Sequence, residues 1–237
     1  MPEPTLKSVM AELKANGNPK TVATYRRHGV RTPIFGVSSA KLNEMAKKLK
    51  NRHDLARELW ATGNGDARNL ATLVADPEKL TREEADLWAG DLDNRGLAGY
   101  FTTKLLARAP FAAEKAKQWI ASGGEYQAYC GWSVLGILSM NGAEVPEAES
   151  EARLAEIERR IRSAPNRARE AMNSALVVIG MRSPALREKA LAAAKRIGPV
   201  EIDHGDTDCK TLDAVAALSG SYADKGMRRM AAKRKPR

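Results

Sequence analysis

The chain has 237 residues, of which 43% are hydrophobic, 29% charged and 5% aromatic. This mix is typical of a soluble globular protein with a buried core, and it excludes a disordered chain. No uncharged apolar stretch approaches the ~20 residues of a membrane-spanning helix, and the first residues lack the basic and apolar regions of a secretory signal. Two cysteines, Cys130 and Cys209, are too few for a disulfide framework or a four-cysteine zinc site. We therefore expect a cytoplasmic protein.

The charge is strongly basic. The net charge is +10, which favours a polyanionic partner. Much of the excess follows Asp224, where the chain carries no further acid but has Lys225, Arg228, Arg229, Lys233, Arg234, Lys235 and Arg237. We interpret residues 219–237 as a basic, disordered tail, either merely solvated or in contact with phosphates. Residues 1–218 are then expected to form a single domain.

Helical periodicity dominates from residue 39 onward. Leu42, Met45, Ala46 and Leu49 follow the i, i+3, i+4, i+7 spacing of one apolar helix face. Together with the glycines and caps, such stripes predict five helix pairs: 39–50 with 54–61, 66–75 with 81–90, 93–108 with 111–121, 125–140 with 147–163, and 167–180 with 184–197. The spacing between pairs drifts, as it does in HEAT-like repeats. The sequence predicts an all-α fold, a right-handed α-solenoid of about six HEAT-like repeats with a concave basic groove; the alternative is a non-repetitive helical bundle.

For two of these helices, the sequence contains a recognisable N-terminal signal. Thr81 and Glu84 have the spacing of a capping box, in which the hydroxyl and the carboxylate each satisfy a free backbone N–H. Ser183 precedes Pro184, and proline is well tolerated at the first helical position because its missing N–H has no partner there anyway.

The sequence contains no catalytic or phosphate-binding signature. His28, His53 and His204 have no metal-ligand spacing, and no glycine-rich nucleotide loop is present. We expect no cofactor and no metal. The segment Asp203–Thr211 is unusual, because Asp203, His204, Asp206 and Asp208 could converge on a cation. We favour a polar loop that bonds to its own backbone.

The four tryptophans are scattered through the predicted helices. A large aromatic residue in an alanine-rich helical repeat usually fills the gap between neighbouring repeats. Trp132, between Gly131 and Ser133, is the best candidate for a ring that faces a nucleic acid, with core packing as the alternative.

Several short segments, in order and spacing, resemble a known family. These segments are Tyr25-Arg26-Arg27-His28-Gly29, Phe35-Gly36-Val37-Ser38, Arg57-Glu58-Leu59-Trp60, Asp66-Ala67-Arg68, Asp203-His204-Gly205 and Cys209-Lys210-Thr211. Together they resemble the DNA alkylation repair proteins of the AlkD type over residues 20–218. The resemblance implies a HEAT-like solenoid that cradles duplex DNA. In the catalytic branch it also implies excision of cationic N3- or N7-alkylated bases, assisted by aromatic faces and a carboxylate.

The catalytic positions of that family are substituted in this sequence. The tryptophan of the third helix pair falls on Leu92 or Arg95, and the essential aspartate falls on Gly96 or Gly99. The arginine of the next pair falls on Tyr129 or Cys130, and a second tryptophan falls on Ser174. Asp91 and Asp93 lie nearby and are the candidates for a replacement carboxylate.

We therefore expect a duplex-DNA-binding protein, acting as a monomer on damaged or branched DNA in the bacterial nucleoid and not on a membrane, with lost or altered glycosylase chemistry. The candidate DNA contacts are Arg68, Arg95, Lys104, Trp132, Arg167, Arg169 and Lys210. Two alternatives stay open. One is an active alkylbase glycosylase using Asp91 or Asp93 with Trp132 or Tyr129, and the other is a helical scaffold for protein partners.

Overall fold

The computed structural model describes residues 4–49, 51–122 and 124–234, and every regular element in these ranges is helical. The α-helices are α1 Leu6–Ala15, α2 Pro19–Arg27, α3 Ser39–Lys48, α4 His53–Ala61, α5 Gly65–Val74, α6 Arg82–Gly90, α7 Arg95–Tyr100, α8 Ala112–Ser122, α9 Glu125–Met140, α10 Glu147–Arg160, α11 Asn166–Gly180, α12 Pro184–Ile197, α13 Ala214–Ser219 and α14 Ser221–Arg234.

The predicted helix pairs all have counterparts among these helices, and the clearest difference lies in the third pair. The helix predicted over 93–108 is α-helical only to Tyr100, and continues as a π-helical turn, Phe101–Leu105, and a 3-10 turn, Leu106–Arg108. The hydroxyls of Thr102 and Thr103 donate to the carbonyls of Ala98 and Gly99, each at 2.7 Å. Such side-chain bonds to the helix backbone compete with the regular α-helical ladder.

Of the two predicted helix starts, one forms fully and one forms in part. Ser183 caps α12 and Pro184 occupies its first position, as predicted. At α6 the Thr81 hydroxyl accepts from the Glu84 N–H at 3.1 Å. The Glu84 carboxylate, however, binds His53 Nε2 at 3.0 Å and Arg57 Nε at 2.9 Å. The reciprocal half of the capping box is thus replaced by a buried contact with α4.

The described chain groups into two compact units. The first unit comprises the described residues up to Ala112 together with His204–Asp208. The second comprises the described residues of Ala113–Asp203 and those from Cys209 onward. The predicted single domain over 1–218 stays a prediction.

The core of the first unit is built around stacked aromatic rings. The rings of Trp60 on α4 and Trp88 on α6 lie 4.2 Å apart and almost parallel. Phe101 packs against both at a tilt. All three side chains are buried, so they hold α4, α6 and the π-helical turn together through apolar area and ring contact.

The core of the second unit is formed by residues of helices α8 to α14, and α11 and α12 contribute the most of them. Trp132 on α9 belongs to this core and is 1% exposed. The guanidinium carbon of Arg153 lies 6.0 Å from the centre of its ring. Trp132 therefore packs in the core, which was the alternative to a ring that faces a nucleic acid. Its buried ring presents no face to a nucleic acid.

The segment 219–237 differs from the predicted disordered tail. Residues Ser221–Arg234 form α14, in which Ala223 and Met230 are almost fully buried in the core of the second unit. The small apolar face of this helix is easily overlooked in a sequence dominated by lysine and arginine. Lys235 and Arg237 lie outside the described residues.

Candidate nucleic-acid interface

A buried carboxylate fixes the loop between α2 and α3. Asp66, in the first turn of α5, is fully buried. Its Oδ2 accepts from the N–H groups of Phe35 at 2.6 Å and Gly36 at 2.9 Å, and its Oδ1 accepts from that of Val37 at 3.2 Å. Burial raises the pKa of the Asp66 carboxyl above its ordinary value, and these three amide hydrogen bonds oppose the rise. The loop is thereby tied to α5 by its own backbone.

Gly36 allows this loop to pack closely against the start of α2. Its φ is +83°, and a Cβ at this position would lie 2.4 Å from the carbonyl oxygen of Asn18. A side chain fits neither the backbone conformation nor the space.

A cluster of basic residues at 26–31, which we call the basic turn, forms the end of α2 and the beginning of this loop. Arg26 Nη1 donates to the carbonyls of Val30 at 2.7 Å and Thr32 at 3.0 Å, and so closes the turn. Arg27, His28 and Arg31 are exposed. Within the described ranges, the side chains of Arg27 and Arg31 make no hydrogen bond or ion pair. The basic turn therefore presents two unneutralised guanidinium groups on a fixed backbone.

The segment His204–Asp208 packs against the same turn. The Asp206 N–H donates to the carbonyl of Arg27 at 3.1 Å. Gly205 has a φ of +72°, and a Cβ there would lie 2.6 Å from the same carbonyl oxygen, so close backbone contact requires glycine. Two of the segments that carry the family resemblance, those containing Arg27 and Gly205, thus meet at the basic turn.

The predicted polar loop over Asp203–Thr211 does bond partly to its own backbone, since the Thr207 hydroxyl donates to the carbonyl of His204 at 3.1 Å. Among the residues that the structure describes, no group of three or more His, Cys, Asp or Glu side chains is arranged to hold a metal ion.

Arg68 and Asp91, two of the candidate residues, bind each other. Arg68 Nη2 donates to Asp91 Oδ2 at 3.0 Å, and Trp60 Nε1 donates to the same oxygen at 2.8 Å. Arg68 also lies 5.3 Å from the centre of the Trp60 ring, and its side chain is only 13% exposed. The Asp91 carboxylate is thus engaged in joining α4, α5 and the end of α6.

Asp93, the other candidate carboxylate, lies in the turn before α7. Its Oδ1 accepts from Asn94 Nδ2 at 2.7 Å, while Asn94 Oδ1 caps α7 by accepting from the Leu97 N–H at 2.9 Å. Through this contact, Asp93 positions the residue that caps α7.

In the second unit, Arg167 and Arg169 lie at the start of α11 and bind within the protein. Arg167 Nη1 donates to Glu170 Oε2 at 2.9 Å and its side chain is 13% exposed. Arg169 donates to the carbonyls of Glu201 at 3.1 Å and Ala164 at 2.9 Å. Both guanidinium groups hold the chain around the α11 N-terminus.

The remaining predicted DNA contacts are exposed. Arg95 is the first residue of α7, Lys104 lies in the π-helical turn, and Lys210 follows the segment 204–208. Arg27 and Arg31 are not among the DNA contacts that the sequence predicts. A signal was present, because three arginines and a histidine in six residues beside Gly29 are unusual for an ordinary helix end.

This helical architecture places the protein among the HEAT-like repeat proteins. A solved structure with 31% sequence identity superposes with a TM-score of 0.83, covering 94% of this chain and 96% of that one. That protein represents a family described as related to the HEAT-like repeat DNA glycosylases, with affinity for branched DNA structures. The predicted all-α HEAT-like fold is confirmed.

Sequence comparison gives the family. The model of the DNA alkylation repair enzyme family matches residues 9–219, so the chain belongs to this family, and the resemblance is confirmed. Two uncharacterized proteins are also similar. Lin0241 of Listeria innocua is 30% identical, over 95% of this chain and 99% of its own, and Lmo0209 of Listeria monocytogenes is 29% identical, over 95% and 98%. Within the described ranges, no helix is long and apolar enough to cross a membrane.

Proposed function

We propose that this protein binds the phosphate backbone of duplex DNA, including branched or damaged duplex, and that the alkylbase glycosylase chemistry of its family is lost or altered. The observation that carries the proposal is the basic turn. Arg27 and Arg31 are exposed and without side-chain partners among the described residues, on a turn that Arg26 closes and that the Asp206 N–H contacts. Exposed cations without an acidic partner can contact phosphates and release the counterions that DNA condenses.

The other exposed cations support the same function. Arg95, Lys104 and Lys210 belong to the candidate contacts and lie on the protein surface. The affinity of the solved relative for branched DNA favours recognition of backbone geometry rather than of base sequence. Arg68, Arg167 and Arg169 contribute by supporting the local structure, since their guanidinium groups are already bonded within the protein.

The loss of glycosylase chemistry is supported by the environment of the candidate carboxylates. A catalytic carboxylate must approach the sugar on which positive charge develops. Asp91 Oδ2 already accepts from Trp60 and Arg68, and Trp132 is buried. The exposed Asp91 carboxylate is thus already engaged by two donors, and the Trp132 ring is not exposed.

The binding experiment uses fluorescence anisotropy on a labelled four-way junction and a linear duplex of the same sequence. The double variant Arg27→Ala, Arg31→Ala should weaken binding to both DNAs by roughly tenfold or more at 0.1 M salt, because two phosphate contacts are lost. The matched control is Lys47→Ala with Lys79→Ala, two exposed lysines of the same unit. An equal loss in both double variants would contradict the assignment of the basic turn.

A second experiment tests the chemistry. A duplex containing N7-methylguanine is incubated with the protein, and free base is measured. We expect no release above the spontaneous rate. Release that disappears in Asp91→Asn or Asp93→Asn would establish the glycosylase alternative.

A further inference from the structure

The C-terminal helix α14 has two sharply different faces. Ala223, Gly226 and Met230 are buried. A Cβ on Gly226 would lie only 2.3 Å from the sulfur of Met181, so the helix packs unusually closely at this point. These three residues of α14 are therefore used in packing within the second unit.

The opposite face carries a basic stripe, formed by Lys225, Arg228 and Arg229. The three side chains are spaced i, i+3, i+4 and are exposed, which places them within one helical turn, or roughly 6 Å of rise. None of them makes a hydrogen bond or an ion pair within the described part of the chain. The basic stripe is an array of closely spaced, unneutralised charges.

Two other charged residues of α14, Asp224 and Lys233, do not neutralise the basic stripe. The Asp224 carboxylate binds Arg187 Nη1 at 2.5 Å, and so it is neutralised by α12 rather than by the stripe. Lys233 Nζ donates to the amide oxygen of Asn141 at 2.7 Å, a contact that fixes the helix end without removing its positive charge.

We propose that the basic stripe of α14 is an additional contact for the phosphate backbone of duplex DNA, distinct from the basic turn. This inference rests on the proposed function. A polyanion with regularly spaced charges matches three cations on one turn of a rigid helix. A membrane surface fits less well, because an interfacial helix must insert an apolar face, and here Ala223, Gly226 and Met230 are occupied by the core of the second unit.

The test compares two double variants of the full chain on the labelled four-way junction at several salt concentrations. Arg228→Gln with Arg229→Gln removes two stripe cations and keeps good helix formers. Arg159→Gln with Lys195→Gln removes two exposed cations from elsewhere in the same unit. We expect the stripe variant to bind roughly tenfold or more weakly at 0.1 M salt and to reduce the slope of log K against log salt by about 1.8. The control should change neither appreciably.

The outcomes separate this inference from the proposed function. If the wild type does not bind DNA, the proposed function fails. If the wild type binds and the basic-turn variant is weakened while the stripe variant equals its control, only the present inference is overturned. Binding of the wild type to phosphatidylserine vesicles that is lost in the stripe variant, with DNA binding unchanged, would assign the stripe to membranes instead.

Two further variants keep the result interpretable. Arg228→Lys with Arg229→Lys retains the charge and should retain both affinity and slope. If circular dichroism shows that the double glutamine variant is misfolded, the single variant Arg229→Gln is measured instead. Its expected change in the slope of log K against log salt is about 0.9.

Discussion

The Asp66 carboxylate is the residue on which the backbone of Phe35–Val37, in the loop after the basic turn, depends most directly. It is fully buried, and its ligands are three consecutive backbone N–H groups. Removing it leaves those donors buried without acceptors, at a cost of about 1–3 kcal/mol each. We expect Asp66→Ala to lower the free energy of unfolding by about 3 kcal/mol or more, measured by urea denaturation. Glu58→Ala, on an exposed position of α4, should change it by less than about 0.5 kcal/mol.

The same residue predicts a pH dependence. Because burial raises the pKa of Asp66 in the folded protein, the folded state binds more protons than the unfolded chain between the ordinary and the raised pKa. Stability contributed by Asp66 is therefore fully present below the ordinary aspartate pKa of about 4, and it decreases as pH rises through the raised value. The difference in unfolding free energy between wild type and Asp66→Ala should be largest in acid. A difference that grows with rising pH would contradict this direction.

The roles of individual arginines could not be predicted from the sequence. Arg68 and Arg27 both lie in segments that resemble the family, yet Arg68 is held by Asp91, 23 positions away, while Arg27 has no side-chain partner in the described ranges. Whether a guanidinium is available to a phosphate depends on such distant partners. Only the three-dimensional contacts separate the supporting arginines from the exposed ones.

At the scale of helices, the sequence predicts those in which large apolar residues recur at helical spacing. The stripe of α3 contains Leu42 and Met45, both buried as expected. By contrast, α14 buries Ala223 and Gly226 with one large residue, Met230, and such a face gives little periodic hydrophobic signal. Close packing replaces large apolar area in this helix, and for that reason the sequence indicated a disordered tail.

The loop between α2 and α3 supplies a prediction at the same scale. In Gly36→Ala, the positive φ costs about 1–2 kcal/mol, and the overlap with the Asn18 carbonyl must add to it. We expect a total loss of about 3 kcal/mol or more in unfolding free energy. Gly63→Ala is the matched control, because Gly63 also has a positive φ, of +68°, but its Cβ would meet nothing within 4 Å.

Both variants are measured by urea denaturation at neutral pH. Gly63→Ala should lose only the backbone cost, about 1 kcal/mol. Equal losses in the two variants would mean that the close approach to Asn18 has no energetic weight, and the loop would then be held by Asp66 alone.

At the scale of the whole molecule, the net charge is +10, and acidic partners neutralise the basic side chains in some parts of the chain but not in others. Between α10 and α12, basic and acidic side chains neutralise each other, as in the pairs of Lys189 with Glu151 and Arg196 with Glu158. In the basic turn and the basic stripe, the exposed cations have no such partners among the described residues. The basic turn and the basic stripe therefore each bring together two or three exposed, uncompensated cations that phosphates can reach.

This distribution predicts how DNA binding depends on salt. If Arg27, Arg31, Arg95, Lys104 and Lys210 each neutralise one phosphate, log K should fall linearly with log salt with a slope of about −4.5. Contacts of the basic stripe would make the slope steeper. A protein scaffold that binds DNA only weakly and without phosphate contacts would give a nearly flat line, because few counterions would be released. Anisotropy titrations of the junction between 50 and 200 mM salt decide between DNA binding through phosphates and a protein scaffold, because phosphate contacts change affinity strongly over this range. A slope shallower than about −1 would leave DNA binding without its electrostatic basis.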